Sequence, residues 1–97
     1  MTEKFSRYDS ADYLKTDEDM ALYFAICLEE NDPALITHAL GVIARAKGMT
    51  QLARDTGLTR EGLYKALSAD GNPEFTTVMK VINALGLRLH ATTAPVG

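Results

Sequence analysis

Apolar positions fall into distinct patterns along these 97 residues, and each pattern predicts a different kind of element. Between 33 and 47, Ile36, Leu40, Ile43 and Ala44 recur at the three-to-four-residue spacing of an amphipathic helix. Asp32 and Pro33 start that helix, one as a cap and one where no amide hydrogen is needed, and Gly48 ends it. From 76 to 85, Val78, Met79, Ile82 and Leu85 repeat the spacing behind Phe75, and Gly86 serves as the C-cap. The nine residues 20–28, MALYFAICL, are apolar without interruption. They lie in a helix that opens at Thr16 with acids in its first turn and runs to about Asn31. No single packing face satisfies such a helix. Either it is enclosed in the core, or one side covers the core and the other meets a dimer mate or a different protein. Residues 87–92, LRLHAT, alternate apolar and polar as a strand does. A lone strand has no neighbour in an otherwise helical chain, so the expectation is pairing across a two-fold dimer through Leu87, Leu89 and Ala91.

The stretch 48–68, GMTQLARDTGLTREGLYKALS, holds two short helical patterns hinged at Gly57. A tight turn wants a residue free to take positive φ, and a close helix crossing wants a small side chain such as Ala53. Leu58, Leu63 and Leu67 clamp the second helix, and Thr59 caps it. Left outside the clamp are Thr59, Arg60, Glu61, Tyr64, Lys65 and Ser68, groups suited to base edges or phosphates. This is the residue pattern of a helix-turn-helix. The expected fold is therefore all-α, a small helical bundle with a helix-turn-helix and a short C-terminal strand. One domain spans 1–97, with an acidic N-terminal arm and helices at 1–31, the DNA-binding bundle at 32–86 and the strand at 87–92. Within the first part, 1–8 read as a loose arm and 9–14 as a short helical turn.

The overall charge of −3 argues against a nucleic-acid partner until the chain is divided. Residues 1–44 set Lys4, Arg7 and Lys15 against nine acids, leaving −6, whereas 45–97 set seven basic groups against four acids, leaving +3. The basic part suits phosphate, and the acidic part must point elsewhere or be ordinary solvated surface. A single cysteine, Cys27, cannot form an internal disulfide and fits a reducing cytosol. The polar start, MTEKFSRYDS, does not read as a signal peptide, and nine apolar residues fall short of a span of ~20. A soluble, cytoplasmic protein without membrane association is expected.

The stretch 48–68 followed by GNPEFTTVMKVINALGLRL resembles the lambda-repressor and Cro (Xre-type) helix-turn-helix class. More narrowly it resembles the HigA-like addiction-module antidote proteins, the antitoxins of type II toxin–antitoxin pairs. YDSADYLKTDEDMALYF and LEENDPALITHALGVIARAKGM are similar to that family as well, so the likeness covers about residues 8–90. The resemblance implies a dimeric repressor of its own operon that also neutralises a co-expressed RelE/ParE-like (HigB-type) toxin. Such toxins are generally basic, and an acidic surface would complement one. A phage or metabolic Xre-type repressor without a toxin partner is the alternative. One departure stands out. The Gln that Xre-type sequences place at the start of the first motif helix falls on Met49 here, so that Met49, Leu52, Ala53 and Thr56 face inward. Gln51 remains within reach of a phosphate.

Each exposed candidate has a specific and a plain reading. Arg60 suits the O6 and N7 of a guanine, or else clamps a phosphate or pairs with Glu61. Glu61 accepts from a cytosine amino group or orients Arg60. Tyr64 brings a hydroxyl for phosphate and a ring for thymine methyls, or packs on the turn. Lys65 suits a phosphate, Thr59 both caps and touches backbone, and Arg54 and Ser68 are weaker candidates. The toxin is expected to meet Phe5, Tyr8, Tyr13, Leu14, Tyr23 and Phe24, aromatic and apolar groups beside acids, each of which could instead be core. His38 and His90 lie far apart without ligand-spaced partners, Cys27 sits in an apolar run, and no phosphate loop or nucleophile motif is present. No catalysis, metal or cofactor is expected.

Overall fold

A computed structural model describes residues 14–68 and 70–94. Five helices follow in order: α1 (Asp17–Glu29), α2 (Pro33–Lys47), α3 (Met49–Thr56), α4 (Arg60–Ala66) and α5 (Phe75–Ala84). Among the described residues there is no strand.

The helix starts follow the capping residues. The Thr16 hydroxyl accepts from the Asp19 amide at 3.0 Å while the Asp19 carboxylate accepts from the Lys15 and Thr16 amides, both at 3.1 Å. Those backbone bonds, the one from Lys15 first, favour the ionised carboxylate and hold the Asp19 carboxyl below its ordinary value. The Asp32 carboxylate accepts from Ala34 at 3.0 Å, with Pro33 at the first helical position of α2. Asn31, between α1 and α2, takes a positive φ of 56°, a backbone that asparagine tolerates better than most residues.

α2 forms the spine, its middle from Ala39 to Ala44 being buried. Gly41 sits where it does because a Cβ there would lie 2.9 Å from the Leu67 carbonyl oxygen, which closes the end of α4 against α2. Leu40, Val42, Ile43, Leu63, Val81 and Ile82 are the largest fully enclosed side chains, and Met20, Phe24 and Cys27 of α1 join the same core. α1 lies on α2, and α3 packs against α2, α4 and α5. Lys47 fastens these segments: its Nζ lies 3.2 Å from Asp17 Oδ1 and donates to the Leu85 carbonyl at 3.3 Å.

Of the two readings of the apolar run, full enclosure is excluded. Met20, Phe24 and Cys27 point into the core, while Leu22 and Ile26 are 63% and 56% exposed. The expected strand at 87–92 does not form in this single chain. A ladder needs a second backbone to complete its hydrogen bonds, and no other strand is described in the chain to supply one. Leu87 is half-buried, whereas Leu89 and Ala91 are exposed. α1 also stops two residues earlier than the sequence suggests, at Glu29.

Candidate nucleic-acid interface

The junction of α3 and α4 is built as a tight, hydrogen-bonded turn. Gly57 takes φ 76°, a left-handed backbone, and its amide donates to the Ala53 carbonyl at 2.9 Å. Leu58 N–H reaches that same carbonyl at 3.2 Å, so one acceptor takes both amides at the left-handed end of α3. The Thr56 hydroxyl donates to the Leu52 carbonyl at 2.8 Å, so its polar atom is spent inside the turn. Thr59 then starts α4: its Oγ1 accepts from the Gly62 amide at 2.9 Å. α4 has only seven residues, too short to persist by propensity alone, so its anchoring falls to Leu63 and Leu67, 0% and 3% exposed.

With those two leucines inward, Thr59, Arg60, Glu61, Tyr64, Lys65 and Ser68 are all exposed. The Arg60 guanidinium carbon lies 5.8 Å from the centre of the Tyr64 ring, one turn further along. That ring is its neighbour; among the described residues Arg60 makes no ion pair with Glu61, because adjacent helical residues point to different sides. The Ser68 hydroxyl donates to the Lys65 carbonyl at 2.9 Å, so it terminates α4 and retains only acceptor capacity toward a ligand. Gln51 is exposed on α3 and its amide donates to Asp55 Oδ1 at 2.9 Å. Met49 and Leu52 are buried with Ala53 and Thr56 half-buried, the inward set read from the sequence.

The turn after α4 adds groups that the sequence reading passed over as simple punctuation. Gly62, Lys65, Ser68, Asp70, Gly71 and Asn72 are among the residues lining a cleft of about 400 Å³ beside the exposed side of α4. Gly71 is drawn so close to the end of α4 that a Cβ would meet the Ala66 carbonyl. Asn72 thereby brings an exposed amide to the cleft that Lys65 also lines; its only sequence signal was its place in a Gly-Asn-Pro turn.

Of the residues expected to meet a toxin, Leu14, Tyr23 and Phe24 are described. Leu14 and Phe24 are core residues, 7% and 3% exposed, which corrects their assignment as contacts; Tyr23 is half-buried. Phe24 follows Tyr23 by about 100° around the helix, enough to turn it from the flank into the core. Phe5, Tyr8 and Tyr13, with most of the expected turn at 9–14, lie outside the described residues. Cys27 is buried in the core. No helix among the described residues is long and apolar enough to cross a membrane.

A small helical protein that carries a capped, leucine-anchored helix with an exposed basic and aromatic side is the class these features define. Residues 4–93 match the family described as "Probable addiction module antidote protein", and the chain belongs to that family. It is also similar to an uncharacterized protein of Haemophilus influenzae (strain ATCC 51907 / DSM 11121 / KW20 / Rd), 53% identical over 90 residues that make up 93% of each chain. No solved structure matches it. An antidote of an addiction module implies a cognate toxin as its partner.

Proposed function

We propose that this chain is the antitoxin of a type II toxin–antitoxin module and the repressor of its own operon. It neutralises a RelE/ParE-like (HigB-type) toxin and binds operator DNA as a dimer, through a helix-turn-helix formed by α3 and α4. The observation that carries the DNA part is the division of α4 between buried leucines and an exposed row of Arg60, Glu61, Tyr64 and Lys65. α4 enters the major groove, Arg60 and Glu61 in its first turn read bases, and Lys65, Thr59 and Gln51 hold phosphates. Ser68 accepts at the groove's edge. Leu87, Leu89 and Ala91 pair with the same segment of a second copy, which places two reading helices ~34 Å apart on an inverted repeat. The toxin meets the acidic N-terminal part, where Phe5, Tyr8 and Tyr13 with Tyr23 supply apolar contacts. The protein is cytoplasmic and needs no cofactor, metal or catalytic residue for either task.

The test is an anisotropy titration of a duplex from the chain's own upstream region over a range of salt. With 6–10 phosphate contacts, affinity falls by ~10³–10⁵ between 50 and 200 mM salt. Absence of salt-sensitive binding refutes the repressor reading. Co-expression with the neighbouring toxin tests the other half: no complex and no growth rescue leaves a repressor without a toxin partner.

A further inference from the structure

We propose that the outward side of α1 is the docking surface for a basic protein, with Leu22 and Ile26 as its apolar centre. The proposal rests on the antitoxin reading, in which that protein is the toxin. Leu22 and Ile26 stand four residues apart, one above the other on the helix, and are 63% and 56% exposed. Single exposed aliphatic residues are ordinary, so the weight falls on what surrounds the pair. Ala25 lies beside them, Glu18 stands one turn before Leu22, and Glu29 and Glu30 stand one turn after the pair, all exposed. Glu18 and Glu29 are eleven residues apart, or ~16 Å along the axis, so an apolar centre is bracketed by carboxylates at both ends.

This bracket decides between occupants. DNA is repelled by it. A second copy docked by a two-fold contact would set Glu18 and Glu29 against the same residues of its mate, placing like charges together around the apolar pair. A basic protein with an apolar notch between its cations satisfies both parts of the surface: the carboxylates steer its approach, and the aliphatic centre slows its departure. The face differs from the one expected from aromatic content, because Phe24 points inward while Leu22 and Ile26 point out.

The probe is the protein encoded beside this chain in the same operon, titrated calorimetrically against the full wild-type chain and two double variants. Leu22→Ser with Ile26→Ser should weaken binding ~30-fold or more, chiefly by faster dissociation. Glu18→Lys with Glu29→Lys should slow association and reverse its dependence on salt. Both variants should bind operator as wild type does, since all four side chains are exposed. The serine variant should melt as wild type does, while the lysine variant melts slightly lower, because Glu18 lies in the first turn of α1, where the dipole favours an acid. Wild-type affinity in both variants overturns this surface and leaves the antitoxin reading standing, whereas no binding by the wild-type chain overturns both. A halved mass for the serine variant alone in light scattering, with unchanged affinity for the probe, makes the face a self-contact and also overturns the proposal.

Discussion

Arg60→Ala separates sequence reading from phosphate holding. The guanidinium lies over the exposed Tyr64 ring at 5.8 Å, a cation–π contact worth ~0.5–1 kcal/mol at such a site. Stability should therefore fall by no more than about 1 kcal/mol, a small shift in melting temperature. A bidentate guanine contact is worth ~1–3 kcal/mol of discrimination. The proposed dimer carries the change twice, so discrimination should drop by ~2–6 kcal/mol, about 30-fold to more than 10⁴-fold in the ratio of operator to scrambled-duplex affinity. Anisotropy titrations of two labelled duplexes of equal length, at one fixed salt concentration, measure that ratio directly. Arg60→Lys should recover the non-specific part and little of the specific part, because an ammonium cannot span two acceptors as a guanidinium does. Equal losses on both duplexes would remove Arg60 from base reading, and no loss on either would remove it from the interface.

Three further outcomes follow from the packing and the caps. Leu63→Ala empties a fully enclosed site and should cost ~2–5 kcal/mol, lowering the melting temperature by roughly 8 °C or more, whereas Leu22→Ala on the exposed side should change it little; similar melts for the two would refute the anchoring of α4. Asp19 has its folded-state value depressed by the Lys15 and Thr16 amides, so its contribution is complete above the unfolded value and is lost as pH falls through the folded one. Below about pH 4 the wild-type melting temperature should accordingly drop more steeply than that of Asp19→Asn, and parallel curves would refute the capping role. Gly71→Ala forces a methyl into the Ala66 carbonyl and should push the 70–73 turn off the end of α4, weakening operator binding beyond its effect on stability; undiminished operator binding would show that the turn plays no part there.

Where the chain has a period, the elements could be read from it. α2 runs over the residues marked out by Asp32, Pro33 and Gly48, and the Gly57 turn has the left-handed backbone that its hinge position required. The exposed row on α4 was legible for the same reason: Leu63 and Leu67 leave only one side to solvent. MALYFAICL was not legible, because a run with no polar position carries no phase. Only the packing of α1 on α2 tells Phe24 from Leu22. LRLHAT had a clear period, but a strand is a property of two backbones, and the alternation alone could not say whether a second was at hand. Asn72 was hidden for a different reason: turn residues are read as connections, and its place in the cleft lined by Lys65 depends on how tightly Gly71 folds back.

The missing side chain at Gly41 sets the standoff between α4 and the spine of the bundle. In the proposed two-fold pair any increase in that standoff would be counted twice, once in each copy, and would widen the gap between the two inserted rods. A methyl group at position 41 would thus act on the length of the site the proposed pair can straddle, while the proposed reading leaves to Arg60 and Glu61 which letters it contains. On that reading, spacing and spelling would fall to residues on different helices.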